Sequence, residues 1–581
     1  MVTQINTLIT PYRQAKPASH PPARYPGFNP AIKRLSTGSV VRDGALPLAC
    51  DLVMEQDVAV RLRDGTTIYV DIFRPADAAG PLPALVSWGP YGKQGGVITF
   101  DDLPHRGGVP VESVSGLEMF EGPDPAFWCA NGYAVVNADA RGAFSSEGDI
   151  RAWGRQEGRD GHDLVEWIAA QPWSNGKVGL TGTSWLAIVQ WFIAAERPPH
   201  LAAIAPCEGW TDLYRCDVVR GGVPDAGFAD HMFSMFAGGG RVEDVPAMAR
   251  ANPLMGTCWE DKIPALGNIE VPAFVLASWT NLIHAMGTLN GWRGIASPDK
   301  WLRIHNTHEW TEYYTSAPDL LRFFDHYLKG EDNGWEATPR VRMAILDPGG
   351  ADIVDRPEKD FPLARTDYRP LYLDAASATL GDIPASASAT VRYDPCDEAS
   401  RAIFEHRFDR DTEIAGYIKL HLWVEAVDAD DLDIYCEVRK LGAGGKHLAS
   451  RTFLPPGVDR QDLPENPEEL PGMIVFAGAK GIQRVSLRAT DPARSGPAEP
   501  FHMFDRVEKL APGEVVPVDI QIWPLGMRWR AGERLQLVIG GKKLSGVEFP
   551  GLAPADTINL GTHVIHTGGS HDSHLLLPVT N

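Results

Sequence analysis

Ser184 stands at a corner. The run KVGLTGTSWL, residues 177 to 186, reads as a buried strand that turns tightly at Gly182-Thr183-Ser184 and leaves as a helix. Such a turn lifts a serine Oγ above the edge of a sheet. It also lets the next residue, here Trp185, offer its backbone N–H to an oxyanion. The chemistry suggested is nucleophilic acyl transfer. A serine at this place also serves as a helix N-cap, and the G-x-S triplet alone does not separate the two roles. Its setting between strand and helix favours the nucleophile. The usual motif ends in glycine two positions after the serine, whereas this chain has Leu186.

Several elements must position that corner. "VAVRLRDGTTIYVDIFRP" (58–75) alternates about Asp64-Gly65 and predicts a hairpin. "PALVSWGPY", "GYAVVNADARG", "KVGLTGTS", "LAAIAPCEG", "VPAFVLASWT" and "KWLRIHNTH" are short apolar runs. "EGRDGHDLVEWIAAQP", "WLAIVQWFIAAE" and "DLLRFFDHYLKG", the last closed by Gly330, have helical spacing between or after them. Continuous apolar strands alternating with helices predict a parallel sheet covered on both faces. Within "DARG", Asp139 and Arg141 are expected to pair beneath the site.

The alternation breaks at 212–266, which reads as a helical insertion over the carboxyl edge of the sheet. Residues 1–48 are Pro-rich and read as a surface arm. Beyond about 365, β-type runs such as "GYIKLHLWVEA", "LDIYCEVRKL" and "RLQLVIGG" predict an antiparallel sandwich or jelly roll. Stretch 455–500 reads as a long excursion from it. The expected units are therefore an arm (1–48), an α/β core in two parts (49–211 and 267–350), a helical cap (212–266) and a jelly-roll β-sandwich (351–581).

The chain has 581 residues, with 54 basic and 75 acidic side chains and a formal net charge of -21. No Lys/Arg block stands out, which argues against nucleic acid and anionic membrane as partners. No apolar run approaches the ~18 residues of a transmembrane helix. The first residues lack the apolar stretch of a signal peptide. The seven cysteines are scattered, with no CxxC spacing. The expectation is a cytoplasmic protein with reduced thiols, no metal and no cofactor. The β-rich half leaves a homodimer open.

Four stretches resemble the acyl-esterase and X-prolyl dipeptidyl aminopeptidase family of serine hydrolases. They are "GPYGK" (89–93), "GYAVVNADARGAFSSEG" (132–148), "QPWSNGKVGLTGTSW" (171–185) and "YLKG" (327–330). The resemblance spans about 50 to 581. It implies an α/β-hydrolase core with an inserted helical cap and a C-terminal β jelly-roll domain, and a small-molecule ester or amide as substrate. It implies Ser184 as nucleophile and the Tyr91 hydroxyl with the Trp185 N–H as oxyanion hole. An ester is favoured, because no anionic cluster for a peptide N-terminus stands out.

The family acid falls in a "GW-x-D" pattern, and this chain reads Ser278-Trp279-Thr280-Asn281. Asn281 can orient an imidazole but cannot stabilise an imidazolium with a full charge. Asp212 and Glu309 are the substitutes to consider. The family base follows the last core strand in "GPW-x-H", and here the run is "HNTHEW". His308 lies nearest the expected place, His305 is the second choice, and His284 is a further candidate. His284 follows Asn281 by three residues and can share a helical face with it. Trp210, Trp279, His284 and His305 are candidate substrate contacts, with Trp185 and Trp310 nearby. The amide at 281 keeps a second reading open: a non-hydrolytic descendant that uses the oxyanion pocket as a lyase, transferase, isomerase or binding protein.

Overall fold

In the computed structural model, residues 10–453, 470, 472–545 and 551–580 are described. Eleven strands form one sheet. In chain order they are β1 (Ala31–Leu35), β2 (Leu52–Arg61), β3 (Thr67–Pro75), β4 (Leu82–Gly89), β5 (Ala134–Asp139), β6 (Ser174–Thr183), β7 (Leu201–Cys207), β8 (Ala273–Ser278), β9 (Lys300–His305), β10 (Val341–Ile345) and β11 (Ile353–Glu358). Their spatial order is β11-β10-β9-β8-β7-β6-β4-β5-β3-β2-β1.

The pairings from β5 through β10 are parallel, and both ends of the sheet are antiparallel. Every residue of β4, β5 and β8 is buried. That is why these strands read as unbroken apolar runs rather than as alternation: layers cover both faces. Helices α1 (Arg155–Ala169) and α2 (Trp185–Ala195) flank β6, and α3 (Ala285–Gly294) and α4 (Glu309–Thr315) follow β8 and β9.

The insertion between β7 and β8 is largely helical, with helices Gly227–Met235, Val245–Ala251 and Thr257–Glu260. The N-terminal arm differs from its reading as surface chain. Tyr12–Gln14 pairs with Arg241–Glu243 of the insertion, and β1 is an edge strand of the core sheet. With three of five β1 residues exposed, the strand lacks an apolar signature. β11 extends the core past residue 350 by pairing with β10.

The C-terminal part is β-rich. Nine strands close on themselves, from Thr412–Val427 round to His574–Val579, which pairs back onto Thr412–Val427. One of them, Ala479–Arg484, lies inside the stretch read as an excursion. Residues 454–469 and 471 of that stretch lie outside the described residues. Trp279 fastens this domain to the core. Its Nε1 donates to the Ala344 carbonyl at 2.7 Å, and its ring packs over Gly526, where a Cβ would meet Nε1 at 2.3 Å. Among the described residues no helix is long and apolar enough to cross a membrane.

Candidate active site

Ser184 sits between β6 and α2 with φ 53° and ψ −114°. A non-glycine residue with positive φ stores strain, and such strain gathers at functional sites. The turn is held by two backbone bonds, Ser184 N–H to Cys207 O (3.1 Å) and Thr183 N–H to Glu121 O (3.0 Å). Leu186 fits where glycine is usual because two facing glycines make room. A Cβ on Gly182 would lie 2.6 Å from Leu186 Cβ, and one on Gly89 would lie 3.1 Å from Leu186 Cδ1.

The imidazole at Ser184 belongs to His284. Its Nε2 lies 3.0 Å from Ser184 Oγ. The loop after β8 builds this contact. Asn281 Oδ1 accepts the backbone N–H groups of Ile283 and His284, both at 2.9 Å, and so turns the chain into α3. Trp210 stacks on the His284 ring, with centroids 4.8 Å apart. Burial, then the neighbouring His308, pushes His284 down to about 3, so the ring is neutral at pH 7.

A carboxylate stands beside it. Glu309 Oε2 lies 3.7 Å from His284 Nε2 and accepts from Asn281 Nδ2 at 2.8 Å. Asn281 thus forms the turn and holds the carboxylate, rather than bonding the imidazole. Asp212 pairs instead with Arg215 at 2.7 Å.

Among the described residues no hydrogen bond joins His308 to Ser184. His308 caps α4, its Nδ1 accepting from Trp310 N–H at 3.5 Å, and its ring packs on Trp310. The expected base position is therefore spent on a helix start. His305 is buried between Glu208 Oε1 (3.0 Å) and Glu312 Oε2 (3.8 Å), within the sheet. Of the four candidate substrate contacts, His284 and Trp210 reach the serine's surroundings. Trp279 serves the domain junction, and His305 the core.

Tyr91 follows β4 and is 1% exposed. Its hydroxyl lies within hydrogen-bonding reach of Ser184 and Glu121, and burial, then Glu121, keeps it a neutral phenol. Lys93, two residues on, anchors this loop: Nζ lies 2.5 Å from Asp57, 3.5 Å from Asp71 and 3.5 Å from Asp139. Asp139 therefore pairs with Lys93 and not with Arg141. Arg141 reaches outward to Asp160 (2.6 Å) and Asp64 (2.8 Å), because it lies past the end of β5. Trp153, Trp185, Trp210, Phe233 and Phe236 form an aromatic wall about the site. A cavity of about 1400 Å³ between core and β-rich domain touches Asn281, Leu282 and Ile283, but none of Ser184, Tyr91, Trp185 or His284 lines it.

One residue escaped sequence reading. Glu121, in "MFEGPDP", puts its carboxyl against Tyr91, the Trp185 N–H and Trp310. An acid between Met119-Phe120 and a Gly-Pro turn, with Glu118 and Asp124 three residues to either side, was the available signal.

Comparison with known proteins agrees with this architecture. Residues 64–249 match the X-Pro dipeptidyl-peptidase (S15 family), and residues 333–576 match the X-Pro dipeptidyl-peptidase C-terminal non-catalytic domain. A crystal structure of a CocE/NonD family hydrolase from Staphylococcus aureus is 33% identical, with a TM-score of 0.84, over 95% of this chain and 97% of that one. The chain belongs to the CocE/NonD family of hydrolases. Cocaine esterase from Rhodococcus sp. (strain MB1 Bresler) is 28% identical over 412 residues, 59% of this chain and 67% of that protein. An α-amino acid ester hydrolase shares the fold, at TM-score 0.64 and 15% identity over 91% of this chain and 97% of that one. Within the CocE/NonD frame, the loop after β8 is where the sequence resemblance expects the acid, yet here it brings the imidazole. The loop after β9, where the base is expected, brings the carboxylate.

Proposed function

We propose that this protein is a serine hydrolase that cleaves carboxylic esters through an acyl-enzyme on Ser184. The observation that carries the reading is the strained Ser184 corner with His284 Nε2 3.0 Å from its Oγ. His284 takes the serine proton as Oγ attacks the acyl carbon, then gives it to the departing alcohol. Tyr91 and the Trp185 N–H receive the oxyanion. Glu309 stabilises the imidazolium from its Nε2 side, while the Trp210 stack and the Asn281 turn fix the ring. Water, activated by the same imidazole, releases the acid.

The aromatic wall suits an apolar acyl or alcohol group. An ester is favoured over an amide because no anionic cluster that would fix a peptide amine stands out in the sequence. The amide at 281 and the altered "HNTHEW" loop favour a non-hydrolytic descendant, and the carboxylate of Glu309 3.7 Å from His284 Nε2 favours the hydrolase.

Turnover of a p-nitrophenyl ester panel tests the reading. Wild type is expected to hydrolyse at least one short-chain ester, and Ser184→Ala to reduce that rate by at least about 10⁴-fold. Equal rates would refute it. Asn281→Asp gives a further check. A second carboxylate would stand where Nδ2 now donates to Glu309. The two charges would repel, so kcat is expected to fall by about tenfold or more. A gain in turnover would mean that position 281 is itself the acid seat.

A further inference from the structure

We propose that Glu121 works as a neutral carboxylic acid in the oxyanion hole, donating a hydrogen bond through Oε2 to the substrate oxygen that turns negative when Ser184 attacks. This deepens the hydrolase reading and rests on it.

The carboxyl is placed for that role. Glu121 is 2% exposed, and its Oε1 accepts from Trp310 Nε1 at 2.9 Å. Tyr91 and the Trp185 N–H, the two groups expected to hold the oxyanion, face the same carboxyl. Oε2 is buried and makes no hydrogen bond of good geometry among the described residues. The backbone fixes the position, with φ 69° and the carbonyl accepting from Thr183 N–H beside the nucleophile.

The surroundings favour the protonated form. Glu118 and Asp124 on its own segment are acids. Tyr91 comes from the loop after β4, His284 from the start of α3, and His308, Glu309 and Tyr314 from α4 and its cap. None of these is a permanent cation. Lys93 is committed to three aspartates, and Arg42 acts on Glu118. Burial lifts Glu121 to about 8, against the downward pull of Trp310, Tyr91 and Trp185. An ionised carboxylate here would take up the donors the oxyanion needs. A neutral acid adds a third donor instead.

The proton count closes without transfer from Glu121. The Oγ–C bond forms, the carbonyl π pair moves to oxygen, and the serine proton goes to His284 Nε2. Collapse returns the pair, breaks the C–O bond, and the alcohol leaves with the proton from His284. Glu121 keeps its own proton throughout.

The test is the pH dependence of kcat/KM for a p-nitrophenyl ester in wild type, Glu121→Gln and Glu121→Ala, from about pH 5.5 to about pH 10. Wild type is expected to hold steady at lower pH, since His284 is already neutral there, and to lose activity as pH rises through about 8. Glu121→Gln keeps a neutral donor of the same shape, so its alkaline loss is expected to disappear. Glu121→Ala is expected to lose about 10²-fold in kcat. If the alanine protein fails to fold, the glutamine profile still decides. An alkaline loss unchanged in Glu121→Gln would overturn the proposal. Fluorophosphonate labelling in the same preparations separates the two levels. A Ser184 adduct with an unchanged alkaline loss sinks Glu121 alone, whereas no adduct in wild type sinks the hydrolase reading and this inference together.

Discussion

Alanine at His284 is expected to lower kcat/KM for a p-nitrophenyl ester by about 10⁴-fold or more, while alanine at His308 leaves it within about tenfold. The contrast follows from geometry. His284 holds its Nε2 at 3.0 Å from the nucleophile, whereas His308 spends its Nδ1 on the Trp310 N–H at the start of α4. Loss of His284 removes the acceptor for the serine proton and the donor to the leaving alcohol. Loss of His308 removes a cap, worth about 1 kcal/mol of stability, and a ring packed on Trp310. Parallel thermal unfolding separates that stability cost from an effect on chemistry. A larger kinetic loss in His308→Ala than in His284→Ala would reverse the assignment.

Replacing Lys93 by methionine is expected to lower the unfolding free energy by about 3–5 kcal/mol near pH 7. The ammonium is the cation at the centre of Asp57, Asp71 and Asp139, all at most 1% exposed in their side chains. Removing it leaves buried carboxylates facing one another. Burial already lifts Asp71 to about 6 and Asp139 to about 7, even with Lys93 in place. These folded-state values lie above those of the unfolded chain. Between about 4 and 7 the native state therefore binds more protons, and acid favours it. The deficit of Lys93→Met is expected to shrink as pH falls through that window. A deficit that does not change with pH would mean the cluster is not the source. Because Lys93 also holds the Tyr91 loop, esterase activity at neutral pH is expected to fall with it.

Much of the fold was legible because its strands announce themselves. β4, β5 and β8 are buried on both faces, so their sequences are continuous apolar runs, and the Asp64-Gly65 turn marks the hairpin of β2 and β3. β1 was not legible, since an exposed edge strand has no apolar face to display. The strand Ala479–Arg484 was hidden by the Pro- and Glu-rich sequence before it. At the site, Ser184, Trp185 and Tyr91 were readable because each is tied to a strand end.

The relay was harder to read. Assigning acid and base by loop assumes that each loop keeps its residue type. What the chemistry requires is an imidazole nitrogen at Oγ and neighbours that orient the ring and offset its charge. Here His284 Nε2 lies 3.0 Å from Oγ and Glu309 Oε2 3.7 Å from that same nitrogen. The loops after β8 and β9 converge, so they can exchange these groups: His284 comes with the first and Glu309 with the second. Asn281 then reads as the turn-former its residue type suggests. Glu121 was invisible for a different reason. Nothing in "MFEGPDP" says that the chain returns beside β6 and places this acid against the Trp185 amide.

The central claim is that Ser184 is a nucleophile served by His284. Its most direct test is the mapped site and rate of fluorophosphonate modification in wild type, His284→Ala and His308→Ala, read by peptide mass spectrometry. The account predicts a single adduct on Ser184, formed at similar rates in wild type and His308→Ala and strongly slowed in His284→Ala. No adduct, an adduct on another residue, or labelling lost in His308→Ala but kept in His284→Ala would contradict it.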